Sequence, residues 1–197
     1  MNTTDPWQAY LEKSRHKAAN PITTAAAQLN RSGLKRAVDV GCGAGQDAAA
    51  LLELGYEVVA YDASLDAVAQ CEQRFAGCDK IQVQHARFET FDYPESGVIT
   101  AFSSLFFCQP ECFEQAWENL SRSLQTGGVF VGHFLGLDDD WASGFRIPTC
   151  PLSVDTVRSL FEPFEIQSFD EQNVQGPTRL GAMKHWHTFS VLAVKTG

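Results

Sequence analysis

Short apolar runs alternate along this chain with amphipathic stretches. The runs are of strand length, and the stretches between them repeat apolar residues at helical spacing. A run that is apolar throughout is typical of a strand covered on both faces, as strands are in a parallel sheet. Strands alternating with helices in this way predict an α/β fold, with a doubly wound, mostly parallel sheet and helices on both of its faces.

The predicted elements follow one another in a regular order. The predicted strands are residues 37–40, a strand ending at 62, 81–85, 98–108 including its exit, a strand after the turn 125–128, 164–172 and 185–196. The predicted helices are residues 6–20, 21–32, 46–54, 65–75, 110–124 and 154–161, with Ser64 and Ser153 as N-caps. Residues 172–184 contain three glycine or proline residues and are predicted to form a loop over the pocket mouth.

Composition sets the broad class. The chain of 197 residues is expected to form one domain, residues 1–197, that buries its own core. No run of about 18 apolar residues is present, and the first residues lack a basic and then apolar leader, so neither a membrane nor secretion is expected. Six cysteines without a C-x-x-C pair indicate reduced thiols, and hence a cytoplasmic location.

Charge is distributed unevenly. The net charge of −9 works against nucleic acid as a partner. Residues 1–36 carry +4, from six basic and two acidic residues, and the rest carries −13. The basic arm is therefore either a lid for an anionic substrate or a solvated helix face.

The candidate chemistry lies between Lys35 and Ser64. A buried strand runs into a turn with glycines at 41, 43 and 45, and a helix and a second strand ending at Asp62 follow. Glycine lets the chain turn with positive φ and lets the backbone lie against a ligand. Asp62 follows the first glycine by 21 residues, where such units place a carboxylate that binds ribose hydroxyls.

The spacing of this loop is D-x-G-x-G-x-G, with Asp39 as the acid, whereas dinucleotide sites favour G-x-G-x-x-G. An acid here disfavours a phosphate and suits a cationic ligand, such as an ammonium beside a sulfonium. The residues resemble the class I S-adenosylmethionine-dependent methyltransferases, whose first motif is this loop and whose second is the acid ending the next strand. Two alternatives stay open: a nicotinamide-dependent oxidoreductase, and a non-catalytic cofactor-binding module.

The resemblance implies a Rossmann-like, seven-stranded sheet whose antiparallel last strand inserts between strands five and six, with S-adenosyl-L-methionine as cofactor. The later stretches GLDDDWA and KHWHTFSVLAVK are similar to those of small bacterial-type enzymes akin to the tellurite-resistance group. The implied function is methyl transfer to a small-molecule acceptor by in-line displacement, in a monomer or homodimer. Residues 1–34 would form a helical lid, in which Trp7 and Tyr10 are either lid residues or packing anchors.

The resemblance also assigns site residues. The predicted cofactor site comprises Asp39, Gly41, Cys42, Gly43, Gly45, Asp62, Ala63, Arg87, Phe88 and Ser103. Asp39 would orient the methionine ammonium. Family members commonly have an acid in place of Arg87, a side chain that cannot accept a hydrogen bond, so the adenine would depend on the Phe88 backbone and on stacking. Ser104, Phe107 and Trp141 are predicted to line the acceptor pocket.

No side chain is demanded as the catalyst, because the donor is already activated. Candidates for a general base are Tyr10, His133 and His187. His185 shares one strand face with His187, but no third ligand is in register, so no metal is predicted. The acidic run at 138–140 is predicted to be a solvated loop cluster.

Overall fold

The computed structural model describes residues 6–197. The strands are β1 (Arg36–Val40), β2 (Glu57–Asp62), β3 (Ile81–His85), β4 (Ser96–Ala101), β5 (Leu124–Gly136), β6 (Pro151–Leu152), β7 (Phe164–Pro177) and β8 (Met183–Lys195). The α-helices are α1 (Pro6–Ser14), α2 (Pro21–Leu29), α3 (Gln46–Glu53), α4 (Leu65–Arg74), α5 (Phe113–Ser123), α6 (Trp141–Gly144) and α7 (Val154–Ser159). Each predicted strand and helix is present, and the short β6 and α6 are additions.

The sheet has the order β3-β2-β1-β4-β5-β8-β7. Strands β1 to β5 run parallel, and β8 lies antiparallel between β5 and β7. The predicted Rossmann-like sheet with an inserted antiparallel last strand is therefore confirmed. The two-residue β6 pairs with the end of β5 and brings the sheet to eight strands. Because β1 and β4 lie at the point where strand order reverses, the loops after them border the crevice in which such sheets bind ligands.

Helices cover both faces of the sheet. Successive residues of β5 point to opposite faces, so Val129 and Val131 pack into one core while Phe130 and Phe134 pack into the other. The first core lies under α2, α3 and α4, and the second lies under α5 and α7. Within residues 6–197, no helix combines the length and the apolar character needed to cross a membrane.

The helix ends follow their capping chemistry. The side chains of Ser64 and Ser153 accept the backbone N–H of the third residue beyond them, which confirms the two predicted N-caps. The prediction that the first helix continues to residue 20 is wrong, because α1 ends at Ser14. Asn20 instead caps α2 by accepting the N–H of Ile22, and Pro21 occupies the first turn, where its missing N–H costs nothing.

The predicted loop at 172–184 is largely strand. Strands β7 and β8 pair as far as Pro177 and Met183, and only the turn 178–182 joins them. The segment is polar and exposed, so it lacks the apolar pattern by which strands are predicted. It pairs nonetheless, because the backbone hydrogen bonds between strands do not depend on apolar side chains. Pairing of β5 with β8 stops at Leu135 and Thr188, so residues 172–187 extend beyond the carboxyl end of β5 as a two-stranded arm. We call these residues the arm.

Candidate functional site

A cavity of about 620 Å³ opens at the carboxyl ends of the parallel strands. Its volume lies within the range of small-molecule sites. Its walls come from the loops after β1 to β5, from α1 and the start of α2, and from the turn of the arm. The strand order arranges these walls in a row: the ends of β3 and β2 lie at one side, and the ends of β4 and β5 lie at the other. Three strand spacings, roughly 14 Å, separate the end of β2 from the end of β5.

The loop after β1 requires its glycines. Gly41 adopts φ 66°, and a Cβ there would lie 2.4 Å from the Cβ of Ser104, so only glycine lets the loop close against the exit of β4. Gly43 adopts φ 54°, and nothing lies within 4 Å of the position its Cβ would take. The loop therefore offers the cavity bare backbone against which a ligand can lie.

Asp62, at the end of β2, binds the loop. Its Oδ2 accepts the N–H of Gly43 at 2.9 Å, and its Oδ1 accepts the N–H of Ser64 at 2.8 Å. Burial raises the pKa of this carboxyl above its usual value, and the backbone N–H groups partly oppose that shift. Each carboxylate oxygen has a second lone pair, so the carboxylate can also accept hydrogen bonds from the hydroxyl groups of a ligand in the cavity.

Asp39 is held more deeply. Its Oδ2 accepts the N–H of Ala48 at 3.1 Å, and its Oδ1 accepts the Thr100 hydroxyl at 2.8 Å. It is 3% exposed, and burial, reinforced by the charge of Asp47, raises its pKa to about 7. The carboxyl thus joins β1, β4 and the start of α3 beneath the loop, besides reaching the cavity.

Sequence reasoning did not identify Asp47 as a site residue. Its Oδ1 accepts the backbone N–H of Asn20 at 2.9 Å and the hydroxyl of Thr23. Next to it, the Gln46 amide donates to the carbonyl of Ser14. These bonds fasten the N-terminal helices to the start of α3 at the cavity wall. The available signal was an acid in the first turn after a glycine loop, where a helix dipole favours it.

The ends of β4 and β5 meet at the opposite side of the cavity. Ser103 adopts φ 52°, an uncommon value for a residue with a Cβ, and its hydroxyl lies 3.3 Å from Nδ1 of His133. The ring of Phe102 packs edge-on against the same imidazole, with centroids 5.1 Å apart. Burial lowers the pKa of His133 to about 4, so the imidazole is neutral at pH 7 and can take part in hydrogen bonds without carrying a charge.

Aromatic rings from α1 close this side. The centroid of Trp7 lies 5.3 Å from that of Tyr10 and 5.8 Å from that of Phe107. Arg179, from the turn of the arm, places its guanidinium 5.3 Å from the centroid of Tyr10. Sequence reasoning did not identify Arg179, which becomes a cavity residue only because β7 and β8 pair to their ends.

Most of the predicted site residues lie together in this cavity. Those that line it are Tyr10, Asp39, Gly41, Cys42, Gly43, Asp62, Ala63, Arg87, Phe88, Ser103, Ser104, Phe107 and His133. Gly45, Trp141 and His187 are not among the residues lining it. Gly45 instead packs behind the loop, where an added Cβ would lie 2.8 Å from the ring of Phe75 and 2.9 Å from Sγ of Cys71.

Trp141 lies one layer behind the cavity wall. Its ring centroid is 6.0 Å from that of Phe107 and 5.2 Å from that of Trp186. The ammonium of Lys184 lies 3.9 Å from the centroids of both tryptophans and forms an ion pair with Asp139. The prediction that Trp141 lines the pocket therefore needs correction: its indole supports Phe107 from behind.

His187 is held away from the cavity. Its Nδ1 accepts the N–H of Asp138 at 3.0 Å, and its Nε2 lies 3.0 Å from a carboxylate oxygen of Glu171. The prediction that residues 138–140 form a solvated cluster is wrong for the middle residue. Asp139 is 2% exposed and accepts hydrogen bonds from the N–H groups of Trp141 and His187. The acids at 138–140 are hydrogen-bonded to β8, so they fix the arm and hold the His187 ring outside the cavity.

The segment after β3 holds Arg87, the residue that departs from the pattern of the resembled family. Arg87 is exposed, and its Nε lies 3.4 Å from a carboxylate oxygen of Glu89. Phe88 is 9% exposed, and its ring centroid is 6.0 Å from that of Tyr61. Within residues 6–197, no three histidine, cysteine, aspartate or glutamate side chains gather closely enough to hold a metal ion.

Comparison with known proteins gives three findings. Residues 37–128 match the family model described as a methyltransferase domain. Glycine N-methyltransferase of Oryctolagus cuniculus is 27% identical, over 72% of this chain and 55% of the relative. The chain thus spans about half the length of the curated relatives it matches.

Solved structures share the fold. TehB from Haemophilus influenzae superposes with a TM-score of 0.75 at 16% identity, over 95% of this chain and 66% of TehB. The N-methyltransferase NodS from Bradyrhizobium japonicum WM9, solved with S-adenosyl-L-homocysteine, gives a TM-score of 0.68 at 16% identity, over 98% of this chain and all of NodS. At such identities the likeness is one of fold.

Proposed function

We propose that this chain is a class I methyltransferase that transfers the methyl group of S-adenosylmethionine to a small-molecule acceptor. The match of residues 37–128 to the methyltransferase domain model and the fold shared with TehB and NodS support the proposal. The observation that carries the proposal is the joint geometry of the glycine loop and Asp62. The loop offers bare backbone at Gly43, and the carboxylate that ends β2 binds that same backbone. Both face one cavity at the switch point of the sheet.

The residues present fit the cofactor. The space beside Gly43 accepts a ligand chain that a Cβ would displace. Asp62 keeps lone pairs that would accept hydrogen bonds from two ribose hydroxyls, and the ring and backbone of Phe88, in the loop after β3, would contact the base. Asp39 and Asp47 place two carboxyl groups around the loop, and a cation that enters the cavity would favour their ionised forms, which suits an ammonium and a sulfonium and opposes a pyrophosphate. When bound, the cofactor supplies a methyl group already activated on a sulfonium.

The work left to the protein is positioning. The acceptor side, at the ends of β4 and β5, would have apolar walls formed by rings from α1 and from the turn after β4. Fixing an acceptor in line with the methyl carbon supplies much of the rate acceleration of a displacement. Neutral His133, beside Ser103, would take the proton of an acceptor that needs one removed, but its lowered pKa makes it a weak base, so its main contribution would be a hydrogen bond to the acceptor.

Calorimetry tests the cofactor. We expect S-adenosylhomocysteine to bind and NAD⁺ not to bind. Asp62→Ala is expected to weaken S-adenosylhomocysteine binding by roughly 1 to 3 kcal/mol, because charge-assisted bonds to the ribose and to the loop are lost. Asp79→Ala removes an exposed carboxylate outside the cavity and is the matched control. Tight binding of NAD⁺ alone would replace this proposal with an oxidoreductase.

Turnover tests transfer itself. A panel of thiol, amine, carboxylate and chalcogen-oxyanion acceptors, assayed by release of S-adenosylhomocysteine, is expected to contain at least one substrate. If the protein binds the cofactor but releases no S-adenosylhomocysteine with any acceptor of the panel, a non-catalytic binding module would be favoured.

A further inference from the structure

Arg179 brings an unsatisfied cation into the cavity. Among residues 6–197, its Nη1 has no hydrogen-bond partner, although that atom is buried. A buried guanidinium N–H without a partner is costly, because it has given up its hydrogen bonds to water. The guanidinium also lies 5.3 Å from the ring centroid of Tyr10, and an aromatic face attracts a cation but accepts no strong hydrogen bond. A ligand in the cavity that offers a hydrogen-bond acceptor would satisfy this nitrogen.

Topology places Arg179 at the acceptor side. Strand β8 is antiparallel to β5, so the arm rises from the carboxyl end of β5. Bonds from Thr178 to Ala182 at 2.7 Å and from Gly181 to Thr178 at 2.9 Å close the turn that carries it. In the sheet, β8 lies next to β5, the strand that carries His133, whereas β2, which ends at Asp62, lies three strands beyond β5. Because Arg179 also contacts Tyr10, which packs with Trp7 against Phe107 of the turn after β4, we assign it to the side of the cavity formed by β4 and β5.

Charge is sorted along the cavity. The carboxylates Asp39, Asp47 and Asp62 all lie around the loop and the end of β2. Lys17 lines the cavity in the segment that Asp47 fastens beside the glycine loop, so the loop side has a cation of its own. At the ends of β4 and β5, Arg179 is the sole cationic lining residue that the described chain provides.

We infer that the methyl acceptor carries a carboxylate on a flat or apolar body, and that Arg179 is the residue that selects it. The inference rests on the proposed function, since it concerns the acceptor of that same site. A guanidinium donates two parallel hydrogen bonds to a carboxylate, and one of these would give Nη1 the partner that it lacks. Trp7, Tyr10, Phe107 and Ile147 supply flat and apolar walls around it. Neutral His133 adds a proton acceptor but no second positive charge.

Benzoate and benzamide, of equal shape and different charge, are the probes. Their binding to the protein saturated with S-adenosylhomocysteine is measured by calorimetry. We expect wild type to bind benzoate on the order of tenfold more tightly than benzamide, the usual strength of a charge-assisted pair. Arg179→Gln should bring the ratio of benzoate affinity to benzamide affinity close to one. Arg179→Lys should leave an intermediate ratio, because lysine keeps the positive charge but cannot donate two parallel hydrogen bonds. Arg146→Gln removes an exposed arginine outside the cavity lining and should behave as wild type.

The affinity for S-adenosylhomocysteine separates the possible failures. We expect it to stay within about twofold of wild type in Arg179→Gln. A tenfold or larger loss there would assign Arg179 to the carboxylate of the cofactor and overturn the inference. Equal binding of benzoate and benzamide by wild type, or a preference for benzoate that survives in Arg179→Gln, would overturn this inference and leave the proposed function standing. Failure of wild type to bind S-adenosylhomocysteine would overturn the proposed function, and this inference with it.

Discussion

Asp39 shows how one carboxylate serves two purposes. Its two oxygens are held by the Ala48 N–H and the Thr100 hydroxyl, so the side chain fixes the start of α3 against β1 and β4. Burial and the nearby charges of Asp47 and Asp62 raise its pKa from 3.8 to about 7. The fold therefore holds an acid that becomes easier to ionise when a cation enters the cavity.

This raised pKa predicts a pH-dependent stability. Between pH 4 and 7 the folded protein keeps the Asp39 proton that the unfolded chain has lost, so stability falls as pH rises through this window. Asp39→Asn keeps both hydrogen bonds, because the amide oxygen can face Ala48 and the Thr100 hydroxyl can accept. Without ligand, the free energy of unfolding of Asp39→Asn relative to that of wild type should therefore rise by on the order of 2 kcal/mol from pH 5 to pH 8.

Urea unfolding at the two pH values checks this change. Asp79→Asn, at an exposed acid, serves as the control and should show no such gain. A difference between Asp39→Asn and wild type that stays constant with pH would contradict the raised pKa.

At the residue scale, the sequence located the loop and the acid but not their bonds. Gly41, Gly43 and Asp62 could be assigned because their chemistry is tied to a fixed spacing within one strand–loop–helix–strand unit. The double anchoring of Asp39 could not be, because Thr100 lies 61 residues away and meets it only across the sheet. The assignments of roles to these residues remain predictions.

At the scale of elements, the arm depends on the segment 137–141. Asp139 accepts the N–H groups of Trp141 and His187 and pairs with Lys184, whose ammonium lies between two indole rings. Burial lowers the pKa of Lys184, while its bond to Asp139 opposes that shift. Because Trp141 supports Phe107, this buried pair sets the position of both the arm and one cavity wall.

The two members of this pair are predicted to be unequal. Asp139→Asn leaves the Lys184 charge buried without a carboxylate and turns one acceptor into a donor facing backbone N–H groups, so we expect a loss of about 3 to 5 kcal/mol. Lys184→Met leaves Asp139 two backbone donors and puts a thioether between the indoles, so the loss should be about 2 kcal/mol or less. Unfolding in urea measures both.

The double variant adds the control. If the lone buried charge is the cause, Asp139→Asn combined with Lys184→Met should lose less than the sum of the two single losses. Equal losses in the single variants, or strict additivity, would contradict this account of the pair.

At the scale of the whole molecule, the cavity joins parts of the chain that are independent in sequence. Helices α1 and α2, the loops after five parallel strands and the turn of the arm all contribute to it. A ligand that fills the cavity therefore binds only the folded chain. Such a ligand raises stability by RT ln(1 + [L]/Kd), about 2.7 kcal/mol at a concentration of 100 Kd.

We thus expect S-adenosylhomocysteine at 100 Kd to raise the unfolding temperature by roughly 5 to 10 °C for a domain of this size. NAD⁺ at the same concentration should leave it unchanged. Differential scanning calorimetry checks both, and a shift with NAD⁺ in place of S-adenosylhomocysteine would contradict the assignment of the cavity.

The sequence by itself determined the order of the elements, the sheet class and the position of the glycine loop with its two acids. Each of these depends on residues close together in the chain, through apolar periodicity, capping and turn chemistry. The tertiary structure alone decided that His187 faces away from the cavity, that Asp139 is buried against Lys184, and that Arg179 reaches the cavity. These outcomes follow from how far β7 and β8 stay paired and where the arm lies, and long-range pairing of polar strands leaves little trace in the local pattern.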